Sequence, residues 1–569
     1  MLDIKKNPNK KELRQSAKTK KEIVKYIKNV EQDLEKEIEV RKIDKPNFSK
    51  DSIHKSTDLF GKGFNYFIDL EEKFTQDFLF GYLPEKIKKY IKVIIPFLLM
   101  LFVLVFPMNI DPQIRKAFAL FICISLLWAL ESLSMIVTAL LIPVLAVMLG
   151  LIKNSNPFDS FSNPIIYLLL SGLILAQAFR KHELDRMLSV KVVAMSNGNM
   201  KKLLFFLMSI SALLGMWMSN TATIALMIPV ILSISSKLNG TSDKNYTPML
   251  LLSSGFAAAI GGVSTILGAN PNAITAAFLS NTIKFEFVDW SVIGFPISLI
   301  LFLITYVIFL KIYKIKSEKI SIGELKKEAR KLKLNDDQKK ILIIFIPTIL
   351  AWLFGAKLFS FLNLPIDFFR TEVIGLSAAI LFFVLKVLKW DDVRGIPWEI
   401  FLLVGGALTL GQILIDTGAA SFLAINLFAK LSFLPDPVII LIIVIFAMVL
   451  SNLVNNSSTT IILVPVLIQS FSFLAIDIRL MAMAVAMATA VSPLTPIAIP
   501  SFSLIYGTGK INRREMIKTG FKVALICGPV LAILLSVINY FFIEFYEVLN
   551  LLIFFHNTEL FIYRLNVNF

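Results

Sequence analysis

Between about residues 93 and 546 the chain alternates long apolar runs with short polar or basic stretches. Many of these runs reach the roughly 20 apolar residues that span the hydrocarbon core of a bilayer. Simple spans are expected at about 93–109, 116–132, 134–152, 164–180, 291–312, 341–360, 370–389, 399–416 and 523–546. Four runs do not read as simple spans. Those at about 203–238 and 437–472 are long enough to enter and return, and each carries a polar centre. Those at about 248–283 and 478–507 are each interrupted, near Gly268–Pro271 and Ala498–Ser501 respectively. The expected fold is an all-α polytopic membrane protein of about eleven transmembrane helices plus two re-entrant hairpins.

The polar centres are related. Met218-Ser219-Asn220-Thr221-Ala222-Thr223 lies inside an apolar stretch, and Val454-Asn455-Asn456-Ser457-Ser458-Thr459 lies inside another. Asn220 pairs with Asn456, Thr223 with Thr459 and Pro229 with Pro465, all 236 residues apart. Ser171-Gly172 matches Gly405-Gly406, and Gly268-Ala269-Asn270-Pro271 matches Ala498-Ile499-Pro500-Ser501, at nearly the same spacing. Polar side chains in a bilayer are costly unless they meet partners or line a cavity. A duplicated chain with one interrupted segment per half is the sequence pattern of a transporter binding site.

Charge sets the orientation. With the amino terminus in the cytoplasm and each hairpin returning to its own side, the basic loops 180–202, 311–340, 386–394 and 510–522 all fall inside. The loops 153–163, 284–290 and 361–369, poor in Lys and Arg, fall outside, as the positive-inside rule requires. Reading each hairpin as one span would move the later basic loops to the wrong side. The second half then starts on the opposite face, so the repeats are inverted and the two tips approach each other near the midplane. The organisation expected is a basic cytoplasmic segment 1–91, a first repeat 92–312, a basic cytoplasmic linker 313–340, a second repeat 341–548 and an external tail 549–569. Within the first segment, 21–42 has helical character. The stretch from Phe74 to Ile91 is amphipathic and fits either a surface-lying helix or a solvated tail. No signal-peptide apolar region is visible.

Composition narrows the function. Hydrophobic residues make up 56% of the 569, and mean hydropathy is +0.72, which excludes a soluble enzyme. The net charge of +17 is explained by the basic terminus and loops, so no nucleic-acid partner is implied. The two cysteines, Cys123 and Cys527, sit in apolar segments and suggest neither a disulfide framework nor a metal site. His54, His182 and His556 are too scattered for a metal triad. An isolated membrane Ser or Thr usually bonds a preceding carbonyl or packs helices together, and the duplicated motifs point beyond that. Glu131 reads equally as an ion site or a helix end, Asp416 and Glu399 as solvated span ends, and Gly172, Gly405 and Gly406 as packing positions.

Ser219-Asn220-Thr221 resembles the Ser-Asn-Thr signature of the divalent anion:sodium symporters of the ion transporter superfamily. Trp128-Ala129-Leu130-Glu131, Val137–Pro143 and Gly268-Ala269-Asn270-Pro271-Asn272 are also similar to that family's early spans and first break. The resemblance covers about 92–548. The chain departs from the pattern at Asn455-Asn456-Ser457, at Ala498-Ile499-Pro500-Ser501-Phe502, and at Ala269 and Asn270. The resemblance implies a sodium symporter of small divalent anions, a homodimer and an elevator mechanism, with no cofactor. It implies one sodium site per half: Gly215, Ser219, Asn220 and Gly268 in the first, and Ser451, Asn456 and Ala498 in the second. Asn220, Thr221, Asn456, Ser457 and Pro500 would contact the anion. Hydroxyls, amides and helix N-termini suit an anion without a fixed Lys or Arg. An exchanger, a proton-coupled carrier, and a channel or sensor remain alternatives. Succinate-like dicarboxylates, citrate, sulfate and phosphate all meet the same requirement.

Overall fold

The computed structural model describes residues 85–566 except Met108, Ser432, Ala475, Ile497 and the stretches 153–155, 239–245, 316–322, 362–369 and 471–473. The helix expected at 21–42, and the start of the amphipathic stretch from Phe74, lie outside the described residues. Among the described residues the regular structure is helical throughout. The first helices are α1 (Glu85–Val105), α2 (Pro112–Ala129), α3 (Met135–Met148), α4 (Pro164–Lys181) and α5 (Leu184–Ala194). The first hairpin is α6 (Met200–Trp217) and α7 (Asn220–Leu238). The first broken segment is α8 (Thr247–Gly262) and α9 (Asn270–Thr282), followed by α10 (Phe287–Ile312). Next come α11 (Gly323–Lys331), α12 (Asp336–Phe361), α13 (Thr371–Val384), α14 (Trp390–Val393), α15 (Glu399–Asp416) and α16 (Ala419–Phe428). The second hairpin is α17 (Asp436–Val454) and α18 (Asn456–Ser470), the second broken segment α19 (Ile478–Val491) and α20 (Pro500–Gly507), and the last helix α21 (Arg513–Asn566).

Several helix starts are explained locally. Asp111, Ser134, Asn163, Asn199 and Asp477 each accept a hydrogen bond from a first-turn N–H, and Pro112 and Pro164 occupy first helical positions. Among the described residues, eight helices are long and apolar enough to cross a membrane: α2, α4, α6, α10, α12, α15, α17 and α21. This is not the same count as the eleven expected spans. That count includes the shorter apolar helices α1, α3 and α13, joins α8 to α9 and α19 to α20 as single broken spans, and treats α6 and α17 as hairpin arms.

Three features differ from the sequence reading. The breaks begin earlier than expected, at Val263 and Ser492. The basic stretch 180–202, expected as a loop, contains α5, which buries Leu184, Met187, Val190 and Val193 at three-residue spacing. The stretch taken as an external tail from 549 continues α21 without a break to Asn566. It is apolar there and lacks Gly and Pro, so nothing local ends the helix.

The packing is crossed. In the first hairpin α7 packs on α20, while in the second hairpin α18 packs on α9. Likewise α3 packs on α15, and α4 on α13. Small residues allow the closest of these approaches. A Cβ on Gly406 would lie 2.6 Å from Ala139 O, and one on Gly375 would overlap the Ser171 hydroxyl. The tightest pair is α6 against α8, where a Cβ on Gly261 would overlap Ala212 O and one on Gly215 would overlap Ala258 O. Here backbone meets backbone, as small residues permit between membrane helices. Gly261→Ala should therefore cost about 1–3 kcal/mol by overpacking. Gly395→Ala, where a Cβ meets nothing within 4 Å, should be neutral. Thermal denaturation of the two purified variants separates them, and equal midpoints would remove this account of the α6–α8 contact.

Candidate functional site

A helix that stops inside an apolar layer exposes main-chain groups that water cannot reach, and each must find a partner. In the first half, α8 ends at Gly262, and its last carbonyls are answered from neighbouring elements. Ser298 Oγ of α10 donates to Ile260 O at 2.7 Å, and Trp290 Nε1 of the same helix donates to Val263 O at 2.9 Å. Asn272 Nδ2, reaching back from α9, donates at 2.8 Å to both Gly262 O and Thr265 O. Thr265 Oγ1 donates to Met216 O, tying the break to the end of α6.

The Ser219–Asn220 turn lies against this break. Ser219 Oγ accepts from Ala222 N at 3.3 Å and so caps α7. Asn220 is 8% exposed, and its Oδ1 has no hydrogen-bond partner. A Cβ on Gly262 would lie 3.0 Å from both Asn220 Oδ1 and Gly268 O, and one on Gly268 would lie 2.8 Å from Gly215 O. Three of the expected sodium ligands, Gly215, Asn220 and Gly268, are thus gathered where Gly262 and Gly268 let main chain approach main chain. Gly215 lies in the last turn of α6, where carbonyls lack an intrahelical partner. Neutral carbonyl and amide oxygens of this kind suit a sodium ion.

The second half uses different residues. Asn455, between α17 and α18, has φ +109° and ψ 164°, a region that is essentially glycine's and costs about 1–3 kcal/mol. Its backbone N donates to Ser451 O at 3.1 Å, and its Oδ1 accepts from Ser458 N at 3.0 Å, capping α18. Asn456 N donates to Ala498 O at 3.1 Å, and Asn456 Nδ2 donates to Thr489 O at 3.0 Å. Asn456 Oδ1 is buried without a partner. Ser451, Asn456 and Ala498 are therefore linked, directly or through Asn455. Ser451 O already accepts one bond, which leaves it one lone pair.

The anion residues expected from the sequence are placed around these turns. Thr221 and Ser457 are half-buried, one position into α7 and α18, and Pro500 is exposed at the start of α20. A cleft of about 410 Å³, counted out to its open mouth, lies beside the first turn. Leu169 and Leu173 of α4, Ile400 of α15, and Trp217, Ser219 and Asn270 are among the residues that line it. Asn220, Thr221, Asn456, Ser457 and Pro500 do not line it. The sequence reading missed Thr265, Trp290, Asn452 and Thr495, which hold the breaks in shape. The available signal for Asn452 was a second amide in an apolar run, one turn before Asn456.

A family model described as "Citrate transporter" matches residues 125–490. An uncharacterized transporter of Haemophilus influenzae is 31% identical over 441 residues, covering 76% of this chain and 94% of that protein. An uncharacterized transporter of Methanocaldococcus jannaschii is 34% identical over 426 residues, covering 74% and 93%. A sodium-dependent dicarboxylate transporter, SdcS, of Staphylococcus saprophyticus is 26% identical over 460 residues, covering 76% and 87%. Among solved structures, Neisseria gonorrhoeae MtrF, described within a class of antimetabolite efflux pumps, aligns with a TM-score of 0.50 at 12% identity. That alignment covers 81% of this chain and 96% of MtrF, and it speaks to the fold alone.

Asn272→Leu tests the first break. It keeps side-chain size but leaves Gly262 O and Thr265 O without their donor, and a buried unpaired group costs about 1–3 kcal/mol. The expected result is a clear fall in thermal midpoint without loss of membrane insertion. An unchanged midpoint would mean that other groups answer those carbonyls.

Proposed function

The chain belongs to the citrate transporter family, and on that footing we propose that it is a secondary active transporter importing small dicarboxylate or citrate-like anions together with sodium. That family places it among multi-pass membrane transporters rather than enzymes. The observation that carries the proposal is that the equivalent amide oxygens Asn220 Oδ1 and Asn456 Oδ1 are buried without partners at the two hairpin turns, as Asn272 Oδ1 is at the first break. A buried acceptor with no donor is destabilising by about 1–3 kcal/mol, and a bound cation removes that penalty. On this reading Gly215, Ser219, Asn220 and Gly268 hold one sodium, and Ser451, Asn456 and Ala498 the other.

The same turns serve the anion. Helices α7, α9, α18 and α20 all begin at the turns or breaks, and helix N-termini carry partial positive charge and free N–H groups. Thr221, Ser457, Pro500 and the amides of Asn220 and Asn456 are the proposed contacts. Bound sodium beside the carboxylates offsets their charge. The relative named as a sodium-dependent dicarboxylate transporter supports this coupling and substrate class. The donors named for both cation sites are neutral oxygens, which favours sodium over a proton-titrating relay.

The crossed packing supports two inverted repeats, 92–312 and 341–548, since exchanging the halves exchanges α3–α15 with α4–α13. The proposed movement is an elevator: the hairpins and broken segments slide past α4 and α15, where the cleft lies, within a homodimer. In this reading the amino terminus is cytoplasmic and the carboxyl terminus external. A tag after Lys326 should then be cytoplasmic and one after Phe569 external; both on one side would remove the inverted-repeat model.

Uptake into proteoliposomes with a panel of succinate, malate, citrate, sulfate and phosphate, with and without sodium, tests the function. Uptake of none of them in stable protein would sink it. Asn220→Ala and Asn456→Ala are each expected to abolish uptake. The Asp variants, which add negative charge, should lose anion binding before sodium binding. Normal transport by both Ala variants would make the turns structural.

A further inference from the structure

The two breaks are held open by the same chemistry, drawn from different places in the chain. In each, a threonine hydroxyl donates to a carbonyl near the end of the hairpin's first arm: Thr265 to Met216 O, and Thr495 to Asn452 O at 3.5 Å. These bonds put Met216 opposite Asn452, 236 residues on, and Thr265 opposite Thr495, 230 residues on. The second spacing also sets Asn272 opposite Phe502. Asn272 is the amide that bridges the first break, and Phe502 cannot bridge anything by hydrogen bonds. Phe502 is instead fully buried, edge-to-face with Phe256 of α8 at 5.0 Å between ring centres.

The missing amide is supplied from the other side. Asn452 Nδ2 donates to Met448 O at 2.8 Å and to Ser492 O at 2.7 Å. Asn452 Oδ1 accepts from Leu494 N at 2.8 Å and from Thr495 N at 3.3 Å. One amide thus uses both ends to fasten the unwound residues after α19 to the last turn of α17. Met216, its counterpart, has no such group. The first half places its amide within the broken segment, whereas the second half places it on the hairpin arm.

We infer that Asn452 is a positioning residue for the second cation site, taking over for the position occupied by Phe502 the task that Asn272 performs in the first half. The inference rests on the proposed sodium coupling. Asn452 touches no ligand. It fixes the chain between Ser492 and Thr495, and so the approach of Ala498 O to Asn456 N. Partners of ligating groups that are lost in this way typically cost about 10–100-fold in ion affinity. Because the clamp joins hairpin to break, the second site is set by a contact between elements. The Asn272 bridge of the first site lies within one segment.

The test measures dicarboxylate uptake against sodium concentration in proteoliposomes, with hydrogen–deuterium exchange on the same proteins. Asn452→Leu is expected to raise the sodium half-saturation by about tenfold, to leave the maximal rate at saturating sodium largely intact, and to speed exchange at the Leu494 and Thr495 amides. Asn452→Asp keeps the acceptor and loses the donor, so it should shift less; it also serves if Asn452→Leu does not insert stably. Moving the amide back, in the pair Asn452→Met with Phe502→Asn, should recover part of the half-saturation lost in Asn452→Met alone. An unchanged half-saturation in folded Asn452→Leu overturns the inference. So does a folded pair that recovers nothing. If wild-type uptake ignores sodium, the proposed coupling fails on its own account. The clamp is then judged by exchange, and unchanged protection at Leu494 and Thr495 overturns it.

Discussion

The structure depends on one constraint: helices that stop inside an apolar layer leave carbonyl and N–H groups that only the protein can satisfy. Both breaks are organised around that demand. Trp290, Ser298 and Asn272 answer the carbonyls at the end of α8, and Asn452 answers both kinds of group after α19. Once these partners are assigned, three buried amide oxygens, at Asn220, Asn272 and Asn456, still lack one. The residual demand lies at the two hairpin turns and at the first break, and a positive ligand would meet it.

Meeting it requires backbone to approach backbone. Gly215 and Gly261 let α6 lie on α8 without intervening side chains, which brings the carbonyl of Gly215 beside Gly268. A larger residue at either position would separate the hairpin from the break and scatter the oxygens. The same close packing joins the halves, with Gly255 and Phe256 of α8 against Ile505 and Phe502 of α20. On the proposed reading, hairpins and breaks can travel together because their shared surface is dense. On the same reading, the cleft beside α4 and α15 lies at the boundary along which they would slide.

The halves are alike in plan and unlike in execution. Ser219 caps α7 with a hydroxyl, whereas Asn455 caps α18 with an amide oxygen from a backbone conformation that most residues avoid. Phe502 gives up a polar role for a ring contact, and a residue on another helix supplies the amide. Departures from the symporter family's motif at 455–457 and 498–502 therefore carry structural meaning. They mark places where the same local demand is met by a different group.

Much of this was legible along the chain. Apolar run length determined where helices could cross a membrane, because the cost of burying polar groups is paid residue by residue. The duplicated Asn, Thr and Pro determined where the two turns lie. Gly268 and Ala498 marked the ends of both unwound stretches, though not their starts. The starts at Val263 and Ser492 depend on Asn272 and Asn452 reaching across space, and no local propensity encodes a partner that distant in sequence. For the same reason the sequence from 180 to 202 reads as a basic loop: the buried face of α5 exists only because other helices cover it. Which carbonyls are answered and which amide oxygens are left over is a property of the whole packed arrangement. Hydrogen bonding is settled by three-dimensional neighbours, whereas hydrophobicity and charge are carried by each residue alone.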